Sequence, residues 1–392
     1  MIATRTHARL DGFGDSVFTR MSALARQYDA VNLGQGFPDF PGPEFVKEAA
    51  KRAIDADLNQ YAVSSGAPRL KAQIAIDAAA ELGREIDPAR EIVVTNGATE
   101  AIFEAILAFS GPGDEIVVFE PFYDSYPASA QMAGSTFVPI RLEPPDWTFD
   151  PDMLRAAITP RTRLILLNTP HNPTGKVFAL DELEQIAALA IERDLLVVTD
   201  EVYDRIVFAP AMHIPIASLP GMWERTITVN STGKTFSLTG WKIGWALGPA
   251  DLVGPIQAAH QFITFASATP FQDALATAME LSRTNGYYDQ LVRDYAHRKS
   301  LLESALSGAD LATLPIGGSY FLMADISDLG FETDVSFCEW LVESIGIAAV
   351  PPSAFYLEPA TAPLLARFCF AKSDATIAAA AERLRNIGSV EP

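Results

Sequence analysis

Short runs of β-branched and other apolar residues alternate with segments of helical pattern between residues 90 and 250. Parallel strands need helix-length connections and are buried on both faces, so their sequences are almost continuously apolar. The alternation therefore predicts an α/β fold, in which a large domain holds a mostly parallel sheet covered by helices on both faces. The predicted strands are EIVVT (91–95), EIVVF (115–119), RLILLN (163–168), LLVVT (195–199), TITVN (226–230) and IGWALG (243–248).

The C-terminal part of the chain has a different order of elements. A long helical stretch at about 287–307 leads to GGSYFLMADI, and a helix near 334–345 precedes RFCFA and a closing helix from about 374. This order favours a smaller α+β domain. The Pro/Gly-rich stretch GQGFPDFPGP (34–43) is interpreted as a linker that passes the site. We predict an N-terminal segment that joins the small domain (1–45), a large domain (46–285) and a small C-terminal domain (286–392).

Charge and cysteine content exclude several classes of partner. The formal net charge of −20 argues against nucleic acid or an anionic membrane as the main partner. The two cysteines and five scattered histidines show neither a disulfide framework nor metal-ligand spacing. No signal peptide is recognisable, and no uncharged apolar run reaches the roughly 18 residues of a membrane span. We expect a cytoplasmic protein without a metal.

Ligands of mostly parallel sheets bind beyond the carboxyl ends of the strands. Three of the segments that follow strand ends each allow two interpretations. The turn NGAT offers backbone N–H groups at Gly97, Ala98 and Thr99 for a phosphate, although a plain helix N-cap by Thr99 explains it equally well. Asp200 either starts a loop or faces a ligand cation. Asn172 either belongs to a proline-rich turn or presents its amide to a ligand.

The segment VNSTGKTFSLTGWKIGW (229–245) holds Lys234 and Lys242 without any acidic residue. A lysine shielded from water becomes a usable amine nucleophile, and a second cation nearby lowers its pKa further or holds an anion. The GKT tripeptide is not a P-loop, because Thr228 occupies the position where that motif needs a glycine. A dinucleotide fingerprint at 34–39 also fails, because Asp39 replaces its third glycine.

Taken together, the motifs resemble the fold-type-I (class I/II) aminotransferases that use pyridoxal phosphate and share the aspartate-aminotransferase-like fold. Within that group the chain is most similar to the kynurenine/glutamine/methionine transaminase branch and to N-succinyldiaminopimelate aminotransferase-like proteins. The resemblance covers almost the whole chain. It is carried by NLGQGFPDF, NQY, NGAT, EPFYDSY, NTPHNPTG, DEVY, STGKTFSLTGWKIGW and RFCF.

The resemblance implies three catalytic residues, Lys234, Asp200 and Tyr203. Lys234 would form a Schiff base with the cofactor aldehyde and later move the proton between Cα and the cofactor carbon. Asp200 would face the pyridine nitrogen and keep it protonated, so that the ring works as an electron sink. Tyr203 and Asn172 would hydrogen-bond the phenolic oxygen of the ring, and Tyr123 would stack on it.

The resemblance also implies how the cofactor phosphate is held and how subunits associate. Lys242 would bind the phosphate together with Ser231 and the backbone of Gly97, Ala98 and Thr99. Tyr61 would reach the phosphate in the neighbouring subunit's site, which implies a homodimer.

For the substrate, the resemblance implies that Arg367 clamps the α-carboxylate, helped by Gly36 and Asn172. A surface salt bridge is the alternative interpretation of Arg367. An apolar wall favours neutral or aromatic side chains, and no second arginine lies in a matching motif, so aspartate should be a weak donor. The candidate wall residues are Phe18, Tyr123, Phe265 and Phe355.

Two departures bear on the substrate. Phe18 stands where relatives often carry a tryptophan, and Ala266 stands where some kynurenine-type members have a histidine. Both weaken the case for kynurenine.

The predicted reaction is a ping-pong transfer of an amino group from an L-α-amino acid to a 2-oxo acid. N-succinyldiaminopimelate or aspartate-type transamination and cysteine-conjugate β-lyase activity are the alternatives. A ligand-sensing domain of a transcription regulator is disfavoured, because only about thirty residues precede NLGQG and the net charge is acidic.

Overall fold

The computed structural model describes residues 7–10, 12–14 and 16–389. The strands of this part are β1 (Val31–Asn32), β2 (Ile92–Thr95), β3 (Glu115–Glu120), β4 (Thr136–Arg141), β5 (Thr162–Asn168), β6 (Leu196–Asp200), β7 (Thr226–Ser231), β8 (Gly244–Leu247), β9 (Phe321–Asp325), β10 (Ile347–Ala348) and β11 (Leu365–Cys369).

The α-helices are α1 (Val17–Gln27), α2 (Glu44–Asp55), α3 (Pro68–Leu82), α4 (Ala98–Phe109), α5 (Ser125–Ala133), α6 (Pro151–Ala157), α7 (Leu180–Glu192), α8 (Thr232–Thr235), α9 (Ala250–Ile263), α10 (Thr269–Ser282), α11 (Tyr287–Ser307), α12 (Asp334–Trp340) and α13 (Asp374–Leu384). A π-helical turn, Leu341–Ile345, continues α12. Short 3₁₀ turns occupy Ala8–Leu10, Ile216–Ser218, Trp223–Arg225, Thr239–Trp241, Ser327–Leu329, Pro352–Phe355, Pro359–Thr361 and Ile387–Ser389. In the described part of the chain, no helix is both long enough and apolar enough to cross a bilayer.

A seven-stranded sheet has the strand order β2-β8-β7-β6-β5-β3-β4. β8 runs antiparallel to both of its neighbours, and every other pair in this sheet is parallel. The predicted α/β fold with a mostly parallel sheet is confirmed. Every residue of β3 and β7 is buried, as expected for strands that are covered on both faces.

Successive residues of β3 show how both faces of the sheet are covered. Ile116 and Val118 pack into a core with α4, α5 and α9, whereas Val117 packs into a second core with α6 and α7. Side chains alternate between the two faces of a strand, so the continuous apolar run serves two cores at once.

β4 is a strand of this sheet that the apolar runs do not predict. It lies at the sheet edge, and its side chains are mostly half-buried. Its sequence, TFVPIR, contains Pro139, which cannot donate a ladder hydrogen bond and is tolerated at an edge. An edge strand lacks the continuous apolar signal that identifies the central strands.

The C-terminal strands belong to two small sheets of two strands each. β9 and β11 are antiparallel, with Met323 opposite Arg367, and α11 packs against α13. β1, from the N-terminal segment, pairs in parallel with β10 through Val31 and Ile347. These pairings bring residues near 34 next to β11. The division of the chain at residues 45 and 286 stays a prediction.

Candidate active site

A cavity of about 290 Å³ lies where the carboxyl ends of the parallel strands face β11 and the N-terminal segment. Ligands of α/β sheets bind at this edge. The cavity is lined by Phe18, Gln35, Gly36, Phe37, Gly97, Ala98, Thr99, Ile102, Tyr123, Tyr126, Asn168, Asn172, Asp200, Val202, Tyr203, Ser231, Gly233, Lys234, Thr239, Lys242, Phe321 and Arg367.

One end of the cavity is built for an anion. Gly97 (φ +80°) precedes α4, and no side chain of the described residues caps this helix, whose first-turn N–H groups have no intrahelical partner. The alternative interpretation, in which Thr99 is the N-cap, is therefore wrong. A Cβ at Gly97 would lie 3.1 Å from Lys242 Nζ, so the ammonium stands directly beside the turn. Free N–H groups and a cation together favour a bound anion.

Lys234 lies in α8, the short helix that follows β7. The Ser231 hydroxyl accepts a hydrogen bond from Gly233 N at 3.1 Å and so begins this helix. Burial lowers the pKa of Lys234 to about 8, and the charges of Lys242 and Arg367 act in the same direction. A substantial fraction of the amine is therefore neutral near physiological pH, the form that can act as a nucleophile or base.

Asp200 is a buried carboxylate at the end of β6. Its Oδ2 accepts a hydrogen bond from the Tyr126 hydroxyl at 2.7 Å, and its Oδ1 accepts one from Val202 N at 3.3 Å. Burial raises the pKa of Asp200 to about 6, although these hydrogen bonds favour the anion. A cation in the cavity would stabilise the charged carboxylate further.

Arg367 is a fully buried guanidinium on β11. Nη1 donates to Asn172 Oδ1 and Nη2 donates to Gly34 O, each at 3.0 Å. Among the described residues, no carboxylate forms an ion pair with it, and Nε has no acceptor. Burial lowers the pKa of Arg367. The surface salt bridge is therefore excluded, and a buried cation without an anion is costly unless a ligand supplies one.

Residues 28–384 match the family model for aminotransferases of class I and II. The match covers most of the chain and includes Gly97, Lys234, Lys242 and Arg367. The chain belongs to the class I and II aminotransferases. The resemblance inferred from the motifs is confirmed.

Curated relatives of this aminotransferase align over almost their whole length. A probable N-succinyldiaminopimelate aminotransferase of Mycobacterium tuberculosis is 43% identical over 97% of this chain and 98% of its own. Kynurenine–oxoglutarate transaminase 1 of Homo sapiens is 39% identical over 96% of this chain and 97% of its own. These similarities establish an aminotransferase.

Solved structures establish the fold in the same way. An Escherichia coli protein identified with a methionine aminotransferase function superposes with a TM-score of 0.93 at 38% identity, covering 97% of this chain and 99% of that one. The aspartate aminotransferase of Thermus thermophilus superposes at 0.90 with 31% identity, covering 97% and 99%. The predicted aspartate-aminotransferase-like fold is confirmed.

Three residues predicted for the aminotransferase site lie outside the cavity. Tyr61 is 84% exposed and Phe265 is 41% exposed, and their rings meet edge to face with centroids 5.1 Å apart. Phe355 is fully buried behind the site, where its ring centroid lies 5.0 Å from the Arg367 guanidinium. Within a single chain, Phe265 and Phe355 therefore do not form the predicted wall. The aromatic lining comes from Phe18, Phe37, Tyr123, Tyr126, Tyr203 and Phe321.

Several site residues were not predicted from the sequence. Tyr126 lies in the motif EPFYDSY, three residues after Tyr123, and that spacing could have indicated a second tyrosine directed at the same site. Asn168 ends β5, and its amide donates to Asp200 O at 2.8 Å. Tyr320 hydrogen-bonds Lys234 Nζ at 2.9 Å across 86 residues of sequence. No local pattern indicates that contact.

Three possible metal ligands also come together away from this cavity. The donor atoms of Glu100, Glu104 and His260 lie within 4.8 Å of one another. His260 Nδ1 lies 3.2 Å from a Glu104 oxygen and 3.4 Å from a Glu100 oxygen. Burial disfavours the charged ring, but hydrogen bonds to both carboxylates raise the pKa of His260 to about 9. A protonated histidine between two glutamates accounts for this cluster.

Proposed function

We propose that this aminotransferase uses pyridoxal phosphate to transfer the amino group of a neutral or aromatic L-α-amino acid to a 2-oxo acid, in a ping-pong reaction. The observation that carries the proposal is Arg367. Its guanidinium is buried, forms no ion pair with a carboxylate in the described part of the chain, and lines the same cavity as Lys234. A planar fork of N–H donors matches a carboxylate. An α-carboxylate bound there would place the rest of the amino acid towards the Lys234 amine.

The cavity residues fit each functional group of pyridoxal phosphate. The uncapped first turn of α4 and Lys242 offer a site for the phosphate. Lys234 offers an amine for the aldehyde, and Asp200 a buried carboxylate for the ring nitrogen. Tyr123 lines the same space and would lie against the ring face. When bound, this cofactor supplies an electron sink for the bonds broken at Cα.

Two side chains would hold the phenolic oxygen of the ring. The Asn172 carbonyl oxygen already accepts from Arg367, so its amide N–H group remains as the donor to the cofactor. Tyr203 is buried against the ring of Tyr320, with centroids 5.0 Å apart, and burial raises the pKa of its hydroxyl. A hydroxyl that stays protonated can donate to that oxygen.

Lys234 would carry the proton in the reaction. Its neutral amine, once free of the cofactor, would take the proton from the substrate Cα, and the ammonium so formed would deliver it to the cofactor carbon. Taking the proton needs the neutral form, which the lowered pKa favours, and giving it up needs the protonated form, so the amine is neutral again at the end. Asp200 would hold the pyridine nitrogen of the cofactor in the protonated state.

The rings around Arg367 support the proposed substrate class. Two of these rings line the cavity, and the centroids of Phe321 and Phe18 lie 4.1 and 5.1 Å from the guanidinium carbon. Among the residues that line the cavity, the cations are Lys234, Lys242 and Arg367. All three have a role at the cofactor or the α-carboxylate, which leaves no cation for a distal carboxylate.

We therefore expect phenylalanine, methionine, leucine and glutamine to be better donors than aspartate. Steady-state kcat/KM values for these amino acids, with several 2-oxo acids as acceptors, test this expectation. Aspartate or N-succinyldiaminopimelate exceeding every neutral amino acid about tenfold would contradict the substrate class, since one favourable charged pair is worth that much or more. Release of pyruvate and ammonia from a cysteine conjugate, faster than transamination, would indicate a β-lyase.

Tyr61 supports a homodimer in which each chain completes its neighbour's site. It is highly exposed and lies outside its own cavity, although the resemblance places it at the cofactor phosphate. A second copy of the chain would bring the ring to a phosphate. Phe265 packs against Tyr61 and would enter the neighbouring subunit's site together with it.

Mixed dimers test this assignment. Lys234→Ala chains, expected to be inactive alone, and Tyr61→Ala chains, expected to be weakly active alone, are co-expressed. If Tyr61 serves the neighbouring site, each mixed dimer has one complete site, and the mixture reaches roughly a quarter of wild-type activity because about half of the dimers are mixed. If Tyr61 serves its own chain, no complete site forms and activity stays at the level of the single variants. Sedimentation that shows a fully active monomer would also contradict the proposal.

A further inference from the structure

Tyr320 connects Lys234 to the N-terminal segment. Its side chain is fully buried immediately before β9. The Tyr320 hydroxyl lies 2.9 Å from Lys234 Nζ and 2.6 Å from Gly36 O. Gly36 itself lines the cavity. The contact therefore joins the proposed proton carrier to the backbone that borders the substrate.

The direction of these two hydrogen bonds is determined by chemistry. A carbonyl oxygen can only accept, so the Tyr320 hydroxyl donates its single hydrogen to Gly36 O. The hydroxyl oxygen then receives an N–H from Lys234. Because its hydrogen is already committed, Tyr320 cannot donate to the nitrogen lone pair. The bond thus fixes one N–H and leaves the lone pair of the neutral amine free.

Aromatic packing holds the Tyr320 ring in one orientation. The rings of Tyr203, Tyr295 and Phe321 surround it, with centroids 5.0, 5.9 and 4.8 Å away. Each of these rings is itself buried. A hydroxyl on a ring held this firmly is preorganised, which is the property a positioning group needs.

We propose that Tyr320 is a positioning residue for Lys234: its hydroxyl holds the released amine and aims the nitrogen lone pair into the cavity, at the Cα proton of the substrate. The inference rests on the proposed function of Lys234. In the step concerned, the N–H bond forms as the Cα–H bond breaks, and the ammonium so formed would later give up a proton to the cofactor carbon. Tyr320 exchanges no proton in this step.

Tyr320→Phe removes only the hydroxyl. In the cofactor-loaded variant we expect kcat to fall roughly ten- to a hundredfold, with KM changed by less than about threefold, because a misplaced base slows chemistry more than binding. The isotope effect on kcat with a Cα-deuterated donor should rise, because proton transfer becomes more rate-limiting. Tyr295→Phe is the matched control, since it removes the same atom from the neighbouring stacked ring. Its kcat should stay within about twofold of wild type.

A second readout does not depend on turnover. In cofactor-free protein, the rate of forming a borohydride-reducible adduct with pyridoxal phosphate is proportional to the fraction of Lys234 amine that is neutral. In the wild type this rate should rise with pH through about 8. Loss of the Tyr320 oxygen removes an acceptor that stabilises the ammonium, so the inflection should move to lower pH in Tyr320→Phe.

The two proposals fail differently. A kcat of Tyr320→Phe within about twofold of wild type, or a fall in kcat without a larger isotope effect, would overturn the role of Tyr320. An unchanged pH inflection would also count against it. Wild-type protein that forms no adduct with pyridoxal phosphate would instead overturn the proposed function itself.

Discussion

Replacing Lys234 by alanine should abolish transamination. The variant loses the proposed attachment point for the cofactor and the base that moves the Cα proton. One positioned acid–base group contributes about 10²–10⁴-fold, so with the covalent role also lost we expect kcat to fall by roughly 10⁴-fold or more. The measurement is steady-state kcat with the best neutral donor, in the presence of saturating pyridoxal phosphate.

Two control variants accompany this measurement: one keeps the positive charge without the reactive amine, and the other removes a lysine that does not line the cavity. Lys234→Arg keeps the positive charge but offers no amine that can lose its proton at neutral pH, so it should be as inactive as Lys234→Ala. Lys51→Ala removes a lysine whose side chain is 63% exposed and ion-paired only on the surface, and it should keep wild-type activity. A Lys234→Arg enzyme with more than a few per cent of wild-type activity would contradict the assigned role.

Replacing Arg367 by alanine should lower kcat/KM for α-amino acids by several hundredfold. The guanidinium is buried, and no carboxylate of the described residues forms an ion pair with it, so a bound α-carboxylate would complete a desolvated, charge-assisted pair. Truncating one partner of such a pair costs about 2–5 kcal/mol, and each 1.4 kcal/mol is about a factor of ten. The loss should be much smaller for simple alkylamines, which have no carboxylate and should already be very poor donors.

Arg367→Lys is the matched control for charge. It retains a cation but lacks the planar fork, so its kcat/KM should lie between wild type and Arg367→Ala. Because Asn172 Oδ1 and Gly34 O lose their donors in the alanine variant, thermal unfolding must show that both variants are folded. A fall of less than about tenfold for α-amino acids, or an equal fall for alkylamines, would contradict carboxylate binding by Arg367.

The central strands were predictable because burial on both faces leaves a strong sequence signal. β5 and β7 correspond to the apolar runs 163–168 and 226–230, with differences of one residue at an end. β4 was not predictable, because a half-buried edge strand that contains Pro139 has no such run. The predicted helix near 334–345 corresponds to α12 and the π-helical turn that continues it.

One half of the site could be predicted from the rule that ligands of parallel sheets bind beyond the carboxyl ends of the strands. Asp200 ends β6, Ser231 ends β7 and Gly97 follows β2, so a parallel sheet necessarily brings these positions to one edge. Arg367 is different, because it reaches the cavity through the pairing of β11 with β9 and the position of the N-terminal segment. Only the resemblance to a known family predicted that contact from sequence.

Contacts between side chains distant in sequence could not be predicted in the same way. Tyr126 reaches Asp200 across 74 residues and Tyr320 reaches Lys234 across 86. Both depend on ring orientations set by tertiary packing. Phe355 was predicted to line the cavity but packs behind the Arg367 guanidinium. The sequence does not distinguish these two positions for an aromatic residue near the site.

Mapping the cofactor adduct is the most direct test of whether Lys234 is the lysine that binds the cofactor. Wild-type protein is incubated with pyridoxal phosphate, reduced with borohydride, digested and analysed by peptide mass spectrometry. We predict a yellow protein before reduction and, after it, one modified residue per chain, Lys234, with no adduct in Lys234→Ala. Stoichiometric modification of another lysine, or an adduct that persists in Lys234→Ala, would contradict the assignment of this cavity as the cofactor site.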